Sequence, residues 1–490
     1  TAEIASKRDK EETDHFIFFD PAVSQNTIDT YDFEAELVVD TIEYFCRVVK
    51  EATDRRAFTG AFYGYVVGAV DKVYLATHKL LQCPDIDFLT SPSDYSFREP
   101  GSGYSTYRTV AESVRLNGKL WWDENDYYTN LTPARFWVEG WTGPRTFQNT
   151  ETQQLRQLSN QITNASAGWW FDMSGGWYDA PESMEMIRKM NDIAERSIKF
   201  DRSSVAEIAF VVDEKSLLYI TMNDPIKGDF YRPLIMDQRM SAGRIGVPVD
   251  WILLDDLEKA PHYKMYVFLD AFHVTDKQKS MIKQLPDMGA KAIVWVYAPG
   301  YIGETPDVKG CYDLTGIKLK SLNDKSPLHV EISENGQKLL PGVTAGSSYG
   351  TAMKIGPIIV GDDPSAEVLG TLYGVEEQGL ITKEINGVQV YFSAAPTISQ
   401  LVLRGIARKA GIHIFASGDD VFYMNRSFLG IHTSRPGKHT LMFPKPTDLY
   451  DVYNGKVIAA GETKVNLDIP IRRTLLMFVG TKQEWETLNK

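Results

Sequence analysis

Two acids with a single residue between them, Glu124 and Asp126, close the segment Gly118-Lys-Leu-Trp-Trp-Asp-Glu124-Asn-Asp126. The run up to Glu124, bounded by Asn117-Gly118 and Asn125-Asp126, has the length and the punctuation of a short buried strand. Alternation along a strand sends Asp123 to the face opposite Glu124. A carboxylate presented at the carboxyl end of such a strand, amid tryptophans, suits the cleavage of a sugar by two acids. Seven of the ten tryptophans (Trp121, Trp122, Trp137, Trp141, Trp169, Trp170, Trp177) fall between positions 121 and 177, where even scatter would place about one. Sugar rings offer apolar faces that stack on indoles, and their hydroxyls need carboxylates and amides. Large aromatics also dominate core burial, so each indole has an equal claim to a structural place.

The elements that must hold these residues alternate helix and strand. Asp32 can cap a helix whose apolar positions Phe33, Leu37, Val38, Ile42, Phe45 and Val49 recur at helical spacing and stop near Thr53. A strand is predicted over 58–65, helical material over 72–82 and a strand over 86–92. After a Gly/Ser/Tyr loop come a helix near 108–116, the Glu124 strand, a helix over 150–163 and a strand over 167–173. Four strands separated by helices indicate parallel βα units, half of a β/α barrel. Their carboxyl ends present Tyr63 and Tyr65, Ser91 and Tyr95, Glu124 and Asp126, and Asp172. With Trp122 and Trp170 these are the candidate sugar-binding residues around Glu124. Glu139, in an aromatic loop, is read as a solvated acid.

A second region opens near Ser203 with an apolar strand over 205–213, helical material over 230–243, strands over 249–255 and 266–270, a helix over 276–285 and a strand over 292–297. This is a doubly wound α/β pattern of flavodoxin-like or amidotransferase-like kind. Its turns have neither a dinucleotide fingerprint nor a phosphate loop, so no cofactor is expected. Val296-Tyr-Ala-Pro-Gly-Tyr301 has no Cys or Ser to act as a nucleophile, which leaves this layer a structural or assembly role. From Asp307 to about Ser347 the pattern is irregular, with Asn335-Gly as a hairpin signal. Strand and helix return over 386–411. From Ile412 onward, turns at Asp419-Asp, Arg435-Pro-Gly, Tyr453-Asn-Gly and Ala460-Gly separate short strands, a pattern for a small antiparallel β-sandwich.

Composition narrows the partners. With 490 residues, 43% hydrophobic and 24% charged, the chain reads as soluble and globular, and its net charge of -13 argues against nucleic acid. Cys46, Cys83 and Cys311 lie far apart and are odd in number, so neither a disulfide framework nor a metal site is expected. No apolar run reaches the ~18 residues of a membrane span. Thr1 to Asp14 is charged rather than signal-like and the chain lacks an initiator Met, so the start reads as internal and the compartment, cytoplasmic or periplasmic, stays open. His413 and His432 have no paired ligand spacing and are read as structural.

Several stretches together carry a family resemblance: Val39-Asp-Thr-Ile with Val49-Lys-Glu-Ala-Thr53, Gly60-Ala-Phe-Tyr-Gly-Tyr65, Pro84-Asp-Ile-Asp-Phe-Leu-Thr-Ser-Pro-Ser93, Leu116 to Asp126, Gly168 to Tyr178 and Ala410-Gly-Ile-His-Ile414. On these the chain resembles the C-terminal two-thirds of a clan A glycoside hydrolase close to the family forty-two β-galactosidases. The resemblance implies an α/β multidomain chain: the C-terminal half of a (β/α)8 barrel over 1–202, an amidotransferase-like trimerisation domain over 203–411 and an antiparallel β-sandwich over 412–490. It further implies retaining hydrolysis of terminal sugars, a carbohydrate partner, a homo-oligomer of trimer type, and Glu124 as the nucleophile at the end of the seventh barrel strand. The acid/base of that clan stands in an Asn-Glu pair at the end of the fourth strand. No such pair occurs at a strand end within residues 1–57, so the acid/base is expected outside this chain. The alternatives are a catalytically incomplete fragment or pseudoenzyme that binds sugar, and an assembly protein built on the second region.

Overall fold

The computed structural model describes residues 13–69, 71–101, 103–104, 106–134, 143–222 and 230–488. The first long element, α1 (Pro21–Ala52), starts well before the Asp32 cap read from sequence. Asp20 accepts from the Ala22 amide at 3.0 Å and Pro21 pre-sets the first turn. Asp32 sits mid-helix and pairs with Lys215. Burial also departs from expectation: Ile28, Tyr31, Ala35, Val39 and Cys46 are buried, whereas Phe33 and Phe45 are 65% and 62% exposed. Helical spacing marks an apolar stripe without saying which partner covers it.

The strands β1 (Gly60–Phe62), β2 (Phe88–Pro92), β3 (Leu120–Asn125) and β4 (Ala167–Trp170) form one parallel sheet in chain order. They alternate with α2 (Thr77–Leu81), α3 (Ala111–Leu116), α4 (Phe147–Thr163) and α5 (Pro181–Ser197). This is the predicted set of four βα units. Among the described residues the outer edges of β1 and β4 pair with no further strand, and Phe58 and Phe62 beside the β1 edge are more than half exposed. Lys50 at the end of α1 donates to Asp87 at 2.5 Å, and Asp87 also takes the Thr59 amide, which fixes α1 to the start of β1 and β2.

The second sheet holds β5 (Ile208–Val212), β6 (Val249–Leu253), β7 (Met265–Phe268), β8 (Ala292–Val296), β9 (Leu319–Leu322), β10 (Ser326–Ile332), β11 (Ser348–Ile355), β12 (Ile358–Gly361), β13 (Glu367–Leu372), β14 (Glu377–Ile385) and β15 (Val388–Ser393). Its parallel part runs β6-β5-β7-β8-β15, the flavodoxin-like strand order. The remaining strands extend the sheet by antiparallel pairing in the stretch that sequence left irregular. Asn335-Gly is not a hairpin: Ser333 caps the helix Glu334–Leu339 and accepts from Gly336 N, so Asn335 and Gly336 lie in its first turn. Ser113 of α3 accepts the Leu253 amide and Asn117 donates to Asp256, and one apolar cluster joins Leu89 and Trp121 to this sheet.

The last sheet contains β16 (Val421–Met424), β17 (Phe428–His432), β18 (Gly437–Asp451), β19 (Lys456–Ile469) and β20 (Thr474–Val479), all antiparallel, in the order β16-β17-β20-β18-β19. Two sheets were expected and one hydrogen-bonded sheet is found. Register breaks between Met442 and Leu449 split the β18–β19 ribbon, and both halves of it (Leu441 and Val465, Leu449 and Ala459) contribute to one core. Ala460-Gly461 lies within β19 near these irregularities and is not a chain reversal. Among the described residues no helix is long and apolar enough to cross a membrane.

Candidate active site

Two glutamines decide which way β3 faces. Gln157 and Gln161 of α4 both donate to Asp123, and Ser93 adds a third bond at 2.8 Å, so Asp123 points into the helix layer. Burial raises its carboxyl to about 6 even so. By alternation Glu124 points to the inner face, with Trp122 two residues before it. Parallel register places Pro92 of β2 and Trp169 of β4 beside Glu124, and Thr90 and Ala167 beside Trp122. The Trp122 ring meets Phe88 edge to face at 5.0 Å, and Trp169 lies 5.2 Å from Phe171. Glu124 is thus flanked by two indoles on one face of a parallel sheet, at the carboxyl end of its strand.

Glu124 is 6% exposed and accepts no hydrogen bond from a described residue. Burial, then the charges of Asp126 and Asp123, push its carboxyl up to about 7, opposed only by Arg98. The Thr90 hydroxyl and the Trp122 indole N–H on the same face also lack partners. A carboxyl, a hydroxyl and an N–H left unpaired together form a surface that a polyhydroxylated ligand satisfies. Among the described residues no cluster of three or more His, Cys, Asp or Glu could hold a metal ion.

The structure divides the predicted sugar-binding residues. Tyr65 and Tyr95 stay with the site: Tyr65 lies within electrostatic reach of Glu124, and Tyr95 is 38% exposed. Burial and the Asp126 charge raise Tyr95 to about 12. Five others hold the scaffold. Tyr63 is fully buried and donates to Val73 O at 2.8 Å, and Ser91, on the Asp123 face, donates to Pro92 O. Trp170 turns to the helix side, where its N–H reaches Asn191 of α5 at 3.3 Å. Asp172 accepts the amides of Ser174, Gly175 and Trp177 and so shapes the loop after β4. Asp126, just past β3, is fully buried and takes Arg98 at 2.6 Å as its ion-pair partner. Glu139, Trp137 and Trp141 lie outside the described residues.

Sequence reading passed over the arginines of the loop after β2. Arg98 donates to Asp94 O, Ser93 O and Asp126, tying that loop to the end of β3. Asp94 in turn holds Arg239, of the short helix Gln238–Ala242 that precedes β6. His432 of β17 takes the Gly101 amide at 2.6 Å and hydrogen-bonds Thr474, so the last sheet clamps the same loop. The only signal available was an arginine in a Gly/Ser/Tyr loop. All three cysteines are buried and free.

No family model and no curated protein sequence matches the chain. Solved structures do. A GH42 β-galactosidase from G. stearothermophilus superposes with a TM-score of 0.63 over 92% of this chain and 68% of its own, at 12% identity. The fold is that of the GH42 β-galactosidases. A cold-adapted β-galactosidase from a Rahnella species gives a TM-score of 0.63 at 15% identity with the same coverage. The β-galactosidase of Bacillus circulans sp. alkalophilus gives 0.56 at 14% identity over 83% of this chain and 68% of its own. At these identities the likeness is one of fold, and the chemistry rests on the residues around Glu124.

Proposed function

We propose that the chain is the nucleophile-bearing part of a retaining, β-galactosidase-like glycoside hydrolase acting on terminal sugars. The observation that carries this reading is Glu124: a carboxyl without a hydrogen-bond donor, flanked by Trp122 and Trp169 at the carboxyl end of a parallel strand. Glu124 attacks the anomeric carbon, and a second carboxylic acid about 5.5 Å away protonates the leaving oxygen and later activates water. The acids that act electrostatically on Glu124 are Asp126, held by Arg98, and Asp123, held by α4. Neither can reach across the sugar, so the acid/base comes from outside the described residues. A nucleophile ionising near 7 is half-protonated at neutral pH. The elements or hydroxyls that complete the site must also donate to Glu124 and lower it.

The test is hydrolysis of 2,4-dinitrophenyl β-galactoside, whose leaving group departs without an acid, by the wild-type chain and by Glu124→Gln. Activity lost in the variant with unchanged circular dichroism supports the assignment, and retained activity removes it. A second reading, sugar binding without turnover by this chain alone, draws on the lack of a free opposing carboxyl among the described residues. Tryptophan fluorescence that responds to galactose in a chain without hydrolysis would favour it.

A further inference from the structure

Arg108 is the unusual cation of this region. It is 8% exposed, and its guanidinium makes no hydrogen bond and no ion pair with any described residue. Its Nε is fully enclosed and unpartnered. What surrounds it is aromatic: the guanidinium carbon lies 4.7 Å from the centre of the Tyr95 ring and 5.6 Å from that of Tyr65. Gly68 makes room for it, since a Cβ there would come within 2.7 Å of Arg108 Cγ. Asp94, which feels the Arg108 charge, is committed to Arg239 and to the Ser96 amide. Arg98, by contrast, is buried with a carboxylate in contact.

Buried charges in folded chains are paired with protein groups or with ligands. Stacking on two tyrosines fixes the plane of a guanidinium but leaves its N–H fork without acceptors. That fork matches a carboxylate or a sulfate, which takes two parallel bonds. Tyr65 is the link between Arg108 and Glu124: its ring lies against the guanidinium, and its hydroxyl is within electrostatic reach of the Glu124 carboxyl.

The structure assigns Arg108 as a specificity residue for an anionic substituent, a sulfate ester or a uronic carboxylate, on the sugar that Glu124 addresses. The assignment rests on the glycosidase reading above and names its substrate class as acidic glycosides. Tyr65 and Tyr95 hold the guanidinium flat, Nε is shut off from water, and an arriving oxyanion supplies the fork with the acceptors that the described residues do not.

Tryptophan fluorescence titrations of the full chain with D-galactose, D-galacturonic acid and D-galactose 6-sulfate test this at low and at high salt. The expected result is binding of at least one acidic sugar about tenfold tighter than galactose, with the preference reduced by salt. The two acidic arms tell carboxylate from sulfate. Arg108→Gln is expected to bring the acidic sugars down to the affinity of galactose, and Arg108→Lys, which keeps the charge and the fold, to retain part of the preference. Equal affinities for all three sugars in the wild type, or an equal loss for all three in both variants, would overturn the assignment and leave the glycosidase reading standing. No response to any sugar would remove both.

Discussion

Replacing Glu124 with Gln is expected to stabilise the chain above neutral pH. The wild-type carboxyl ionises near 7 in the folded state against 4.5 for an ordinary glutamate, because it is buried beside Asp126 and Asp123 without a donor. The folded chain therefore holds this proton more tightly than the unfolded chain. The stabilisation is fully present below pH ~4.5 and is lost as pH rises through ~7, reaching a cost of about 3 kcal/mol by pH ~8. The side chain is 6% exposed but its carboxyl oxygens still meet water, so screening makes that figure an upper limit. The amide of the Glu124→Gln variant is a neutral isostere that never bears the cost, and the other buried acids are common to both proteins and cancel in the comparison. At about 2–4 °C per kcal/mol for a cooperative unit of 150–250 residues, the midpoint of Glu124→Gln should exceed that of wild type by several degrees, up to roughly 6–12 °C, at pH ~8. Calorimetry of the two proteins from pH ~4 to ~9 measures the difference. Coincident midpoints at pH ~8, or a less stable variant, would refute the claim that Glu124 is a desolvated carboxyl without compensation.

Other outcomes follow from the same geometry. Arg98→Met leaves Asp126 buried and unpaired and should cost about 3–5 kcal/mol by urea unfolding, with much of it recovered in Arg98→Met/Asp126→Leu. Trp122→Ala should abolish the fluorescence response to galactose, whereas Trp170→Ala, on the helix side, should lower the thermal midpoint and leave the response. The exposed stripe of α1 should drive association of the chain, and Phe33→Ser/Phe45→Ser should reduce the sedimenting oligomer in velocity runs.

The sequence placed the four βα strands, because β-branched and aromatic runs between Gly, Pro and Asn report strands whatever their tertiary partners. It placed the parallel core of the second sheet for the same reason. It missed the antiparallel extension from β9 to β14, where Leu319–Leu322 carries Lys and Ser at half its positions without alternation. It also misread α1. Phe33, Leu37 and Phe45 recur at helical spacing, yet the face that packs on the described elements is the one holding Tyr31, Ala35 and Val39. A helix apolar on both sides gives a period but no single direction, and only the fold chooses between them.

The division between Asp123 and Glu124 was only half legible, and on the proposed reading it separates scaffold from chemistry. The two acids are adjacent in sequence and alternation alone sends them apart, but nothing near them says which is satisfied. That is decided by Gln157, Gln161 and Ser93, three residues distant in the chain that converge on Asp123. Their donors make the outer acid part of the fold. On the inner face, Glu124, the Thr90 hydroxyl and the Trp122 N–H remain without partners while Arg98 and Asp126 lock the loop beneath them. A strand that gives its outer carboxylate three donors and leaves its inner carboxyl with none is carrying a cost that packing does not explain. Relief of that cost on occupation by a sugar predicts a midpoint that rises with galactose concentration in the wild type, and rises less in Glu124→Gln.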